Sequence, residues 1–153
     1  MQEERSLPTE VDFDPYGGDL DAQYAWKNFG GLTLNEATSK FQERPEIYQE
    51  DFMFMGGKAF AFYFPVIENY LRGVEGENDD GDDHEAWILA RAIQHQFHAK
   101  TASQVLRLAP RVVALSQYVR QNIARYGYDD DEQRKIGDAW LDLENHLRTM
   151  TRS

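Results

Sequence analysis

His95 and His98 lie three residues apart and share a helical face with Arg91, a geometry adequate for a metal or anion site if a carboxylate arrives from elsewhere in the chain. No acid nearby completes such a set, so a structural or exposed histidine pair is the simpler expectation. Arg107 and Arg111 stand four residues apart, side by side on any helix through them, and paired guanidiniums suit an anion such as phosphate. His84-Glu85 opens the HExxH pattern of zinc proteases, but the fifth residue is Ile88 and the second imidazole is missing. Gly81 as the sixth position of a calcium loop puts Trp87 at the twelfth, where a bidentate carboxylate is needed, and Gly17 in that role puts Gln23 there. Gly57-Lys58 is followed by Ala59, so it opens no phosphate loop, and no serine sits in a Gly-x-Ser-x-Gly elbow. Spacing alone leaves open a carboxylate pair among Glu46, Glu50, Asp51 and Glu68. With no cysteine, disulfides, thiolate metal sites and cysteine nucleophiles are excluded, and no cofactor is expected.

Charge is the stronger signal. Residues 86–128 contain no Asp or Glu but hold Arg91, Lys100, Arg107, Arg111, Arg120 and Arg125, a block of +6, which leaves 10 bases against 27 acids in the remaining 110 residues. The ordinary fate of such cations is to cover apolar neighbours with their stems and meet carboxylates of the flanking acidic segments. The acids concentrate in two runs, one holding Glu75, Glu77, Asp79, Asp80, Asp82, Asp83 and Glu85, the other Asp129, Asp130, Asp131 and Glu132. Either run is a solvated loop or a surface that speeds encounter with a basic protein and orients it. A net charge of −11 disfavours nucleic acid as a general partner.

The elements that must carry these residues read as helices. Residues 1–20 hold acids, Pro8, Pro15 and Gly17-Gly18, and are expected to form an extended, non-helical acidic arm ahead of a single helical domain over 21–153. Asp21 caps a short helix that Gly30 closes in the left-handed conformation. Thr33 and Glu36 make a capping box for the next, and Pro45 stops that helix or starts another. Between Phe52 and Leu71, the spacing of Phe60, Phe64, Ile67 and Leu71 favours helix over the strand-like alternation of Phe60, Phe62 and Phe64, with a kink or restart at Pro65. Helical periods follow at Ala86, Leu89, Ile93 and Phe97, then Val112 to Tyr126, then Ile136 to Leu147. The fold class is all-α: an irregular bundle of about six or seven helices. No apolar run is long enough to cross a membrane, and the start MQEERSLPTE lacks the basic-then-apolar order of a secretory signal, so a soluble cytoplasmic protein is expected.

The segment GKAFAFYFP, Gly57 to Pro65, resembles a P-x-A-F-x-Y-Y-L-P motif of uncharacterised bacterial proteins, in which it leads into a helix. Ala59, Phe60, Tyr63 and Pro65 match it; Gly57, Phe62 and Phe64 replace its proline, tyrosine and leucine. The resemblance implies a bacterial origin and a compact, mainly helical domain, and carries no activity. Three functional expectations stand. The first is an acidic binding module, such as an immunity or inhibitor protein, that docks a basic partner through the two acidic runs. The second is an enzyme or ligand-binding domain with an anion or metal site around His95, His98 and Arg91, with Arg107 nearby. The third is an oligomeric scaffold joined through the aromatic segment.

Overall fold

Nine of the sixteen residues of one apolar helix, Gly57–Arg72, are buried, and the rest of the chain is arranged around it. The computed structural model describes residues 6–151, so the first five residues of the expected arm and the last two residues of the chain lie outside it. In chain order the helices are α1 (Glu10–Phe13), α2 (Leu20–Phe29), α3 (Leu34–Glu43), α4 (Pro45–Tyr48), α5 (Asp51–Phe54), α6 (Gly57–Arg72), α7 (Ala86–Gln96), α8 (Ala102–Val105), α9 (Ala109–Gln121) and α10 (Asp130–Thr151). Short 3-10 turns at Leu106–Leu108 and Ile123–Arg125 flank α9. Among the described residues there is no strand, and the architecture is all-α. Six helices are ten residues or longer; the count exceeds the expectation because four single turns join them. Among these residues no helix is long and apolar enough to cross a membrane.

The central helix α6 packs against α1 and α3 on one side and α8 and α9 on another, while α10 lies on α7 and α9. A network of rings fills the N-terminal half: Phe29 meets Phe52 at 5.4 Å and Tyr63 at 5.9 Å, Phe41 meets Phe52 at 5.4 Å, and Phe13 meets Tyr63 at 5.9 Å. Offset and edge-on ring pairs of this kind add to simple area burial. Tyr63 also donates its hydroxyl to the carbonyls of Phe29 (3.1 Å) and Leu32 (2.7 Å), which closes the C-terminal end of α2 onto α6. Burial pushes that phenol up to about 12. Helix α6 continues through Pro65 without a restart, although proline offers no amide hydrogen to the carbonyl of Ala61.

The expected non-helical arm is corrected over its described part. Thr9 and Asp12 form a capping box that starts α1, and Phe13 is fully buried against Trp26 and Tyr63. An apolar anchor in an otherwise acidic segment is enough to dock one turn. The dock is tight: the Phe13 carbonyl accepts the Gly56 amide at 2.8 Å, and a side chain at Gly56 would run into the Asp12 carbonyl. The cap of α2 is Asp19 rather than Asp21, and the left-handed residue after it is Gly31, because Gly30 lies flat against the Trp26 ring. The Thr33–Glu36 box and the first-turn position of Pro45 stand as expected, and Pro110 likewise sits in the first turn of α9.

Gln96, buried at the end of α7, donates its side-chain amide to the carbonyls of Phe52 (2.8 Å), Met53 (3.3 Å) and Met55 (2.7 Å), groups that the short helix α5 leaves without partners. Gln96→Leu keeps the volume and strands buried acceptors, so urea unfolding should show a loss of about 2 kcal/mol.

Candidate functional site

The two acidic runs come together at one end of the bundle, and Asn78 is the residue that joins them. Its backbone amide donates to the Ala124 carbonyl (2.8 Å), and its side-chain amide donates to the carbonyls of Tyr126 (3.0 Å) and Asp82 (2.9 Å). Its side-chain oxygen accepts the Gly81 amide at 2.9 Å. Tyr126 donates to the Leu71 carbonyl at 2.7 Å, and Arg125 reaches the Val74 carbonyl, so the loop after α6 and the turn before α10 are tied at several points. Asp129, at the start of α10, therefore lies only three residues along the chain from the Asn78 contact.

Several of these carboxylates have local duties. Asp80 accepts the Asp82 amide, Asp82 the His84 amide and Asp83 the Glu85 amide, each at 2.9–3.0 Å. Asp129 accepts the Glu132 amide (2.9 Å) and Glu132 the Tyr128 amide (2.6 Å), which starts α10, and Asp131 pairs with Arg134. Among the described residues Glu75, Glu77, Asp79 and Asp130 form no hydrogen bond or ion pair through their side chains, and all four are exposed. His84 and Glu85 both take left-handed backbone angles, φ 53° and 60°, which turn the chain into α7 at some steric cost.

Oxygens of Asp82, Asp83 and Glu85 lie within 4.8 Å of one another. Such hard donors suit Ca²⁺ or Mg²⁺, though three fall short of the six to eight oxygens that Ca²⁺ takes. Burial, followed by Asp83, Asp82 and Glu46, pushes the Glu85 carboxyl up to about 7. Burial and the same acids raise the Tyr70 phenol.

The six cations of residues 86–128 do not meet the acidic runs. Arg111 holds Glu68 of α6 in a two-pronged pair, and Arg120 donates to the buried Glu144 of α10 at 2.5 Å. Ser116 donates to the same Glu144 oxygen at 2.6 Å. Arg125 donates to the Tyr118 hydroxyl at 2.8 Å, while Arg91 and Lys100 lie over the rings of Trp87 and Tyr16. Arg107 and Arg111 line one cleft of about 640 Å³, joined by Lys58, Asp12, Phe62 and Leu34 from other elements. Arg91, the other expected anion-binding arginine, is not among the residues lining it, and the Arg107–Arg111 pair is joined there by a lysine instead.

His95 and His98 line a separate shallow groove with Asp14, Tyr16, Lys100 and Gln104, which includes neither Arg91 nor Arg107. Among the described residues no third metal-ligating side chain converges on the two imidazoles. Burial, then His95 and Lys100, lowers the His98 pKa from its ordinary value. Asp14 is occupied by Gln23 and by the amides of Gly17 and Asp19. His146 donates from Nε2 to the Phe97 carbonyl at 2.6 Å. The open carboxylate set disperses too: Glu46 pairs with Arg44, Glu68 with Arg111, and buried Asp51 accepts from Asn28 at 2.8 Å. Burial pushes the Asp51 carboxyl up to about 6.

Lys58 and Asn78 are the residues that sequence reasoning passed over. Lys58 fails every phosphate-loop pattern, and Asn78 carries only the general turn-forming signal of an asparagine among aspartates and glycines. Compared with known proteins, the chain matches no family model, no curated protein and no solved structure.

Two outcomes follow. Between the ordinary 4.5 and about 7, folded Glu85 keeps a proton that the unfolded chain releases, so stability falls as pH rises through this window. Glu85→Gln should raise the melting temperature at pH 8, with a smaller gain at pH 5, and flatten the profile between. Arg120→Met leaves the buried Glu144 carboxylate with the Ser116 hydroxyl and only the looser Arg148 contact at 3.7 Å, and should lose about 3 kcal/mol in urea unfolding, of which adding Glu144→Gln recovers part.

Proposed function

We propose that this chain is a small acidic binding module that docks a basic protein, in the way an immunity or inhibitor protein does. The observation that carries the reading is the Asn78 clip, which gathers seven carboxylates of Glu75–Glu85 and four of Asp129–Glu132 at one end of the bundle. Neither run contains a lysine or arginine. Such a surface attracts a cationic partner over a distance of about 8 Å at physiological salt and orients it before contact. The carboxylates without local duties, Glu75, Glu77, Asp79 and Asp130, are the ones available to a partner's lysines and arginines. The others shape the loop.

The test begins with proteins that co-purify from the native cell, followed by titration of a basic one with salt raised from about 50 to 500 mM. Affinity should fall steeply over that range. Glu75→Gln, Glu77→Gln, Asp79→Asn and Asp130→Asn combined should slow association by about tenfold or more with an unchanged melting temperature. Affinity indifferent to salt, or to these four changes, would sink the reading.

A further inference from the structure

We infer that the cleft between the N-terminal arm, α6 and the start of α9 binds a monocarboxylate with an apolar body. This is a second site, independent of the acidic end. Its volume, about 640 Å³, is that of a small-molecule pocket, and its wall mixes apolar side chains with a few charges.

The charges select the ligand. Arg111 is already engaged: Glu68 holds its fork and the buried Phe64 ring lies 5.3 Å beneath its guanidinium. Lys58 is balanced by Asp12, 3.7 Å away. Arg107 forms no ion pair or side-chain hydrogen bond among the described residues, and it lines the cleft. Among the described residues in and beside the cleft, three cations meet two carboxylates and leave one positive charge over, which fits one anionic head. A planar guanidinium grips a carboxylate through two parallel bonds, so Arg107 supplies the head site with Lys58 beside it.

Much of the remaining wall is apolar, with Ser6 and Thr9 the polar exceptions. Phe62 and Leu34, both half-buried, and the buried Leu108 offer an apolar bed, so a bare inorganic anion would leave most of the cleft unsatisfied. A neutral apolar molecule would leave Arg107 without a partner. The arm forms the remaining wall, and the close approach of Gly56 to Asp12 holds it in place.

Calorimetric titration with decanoate, decanol and acetate separates the contributions. Decanoate should bind saturably, one to one, and raise the melting temperature of the intact protein. Decanol lacks the charge and acetate lacks the body, so each should bind at least about tenfold more weakly. Arg107→Ala should weaken decanoate by about tenfold, and Lys58→Gln by less, both with the unliganded melting temperature unchanged because neither side chain is buried. Absence of saturable decanoate binding, decanol binding as tightly as decanoate, or full decanoate affinity in Arg107→Ala would each overturn the inference. None of these results depends on whether a basic protein docks at the acidic end.

Discussion

The burial of Tyr63 is the interaction on which the remaining architecture depends. Its ring sits among Phe13, Phe29 and Phe62, and its hydroxyl satisfies two carbonyls at the end of α2. A phenol can fill an apolar core only if its oxygen finds partners, and it finds them in these carbonyls, of which that of Phe29 also accepts the Leu32 amide. One side chain thereby positions α2, the turn into α3 and the docked arm against α6. Because α6 also meets α8 and α9, the walls of the cationic cleft are set by the same helix that carries the ring.

Charge follows a different logic from the core. Apart from Arg107, the cations of residues 86–128 settle onto ring faces, onto backbone and side-chain oxygens, or onto carboxylates carried by other helices. The acidic runs, left without them, bond to their own backbone and face solvent. Partial burial, reinforced by mutual repulsion, then leaves Glu85 reluctant to ionise. The molecule is thus electrostatically divided by the way its helices pack, with acid concentrated where α6 ends and α10 begins.

Local signals carried the fold class. The 3.6-residue periods of Ala86, Leu89 and Ile93 and of Ile136, Trp140 and Leu143 became buried faces, and the Thr33–Glu36 box caps α3 as its spacing implies. Thr9-x-x-Asp12 was missed because its acid is aspartate in a segment dominated by breakers, and Phe13 gave no period on its own. The sites were less legible for a physical reason: their defining contacts are distant along the chain. Asn78 meets Tyr126 across 48 residues, and Arg111 meets Glu68 across 43. Periodicity tells which face is covered, never what covers it. Helical spacing put Arg91, His95 and His98 on one face, but α7 ends at Gln96, so His98 leaves that face, and Arg91 lies over the ring of Trp87 one turn back on the same helix.

The Asn78 contacts also bear on entropy. A loop of this composition, rich in Asp, Glu and Gly, would ordinarily sample many shapes and forfeit that freedom on association. Here four hydrogen bonds from one asparagine have already removed much of it during folding. Any molecule that meets this rim encounters a mould set in advance, and the complex is spared the conformational toll of induced ordering.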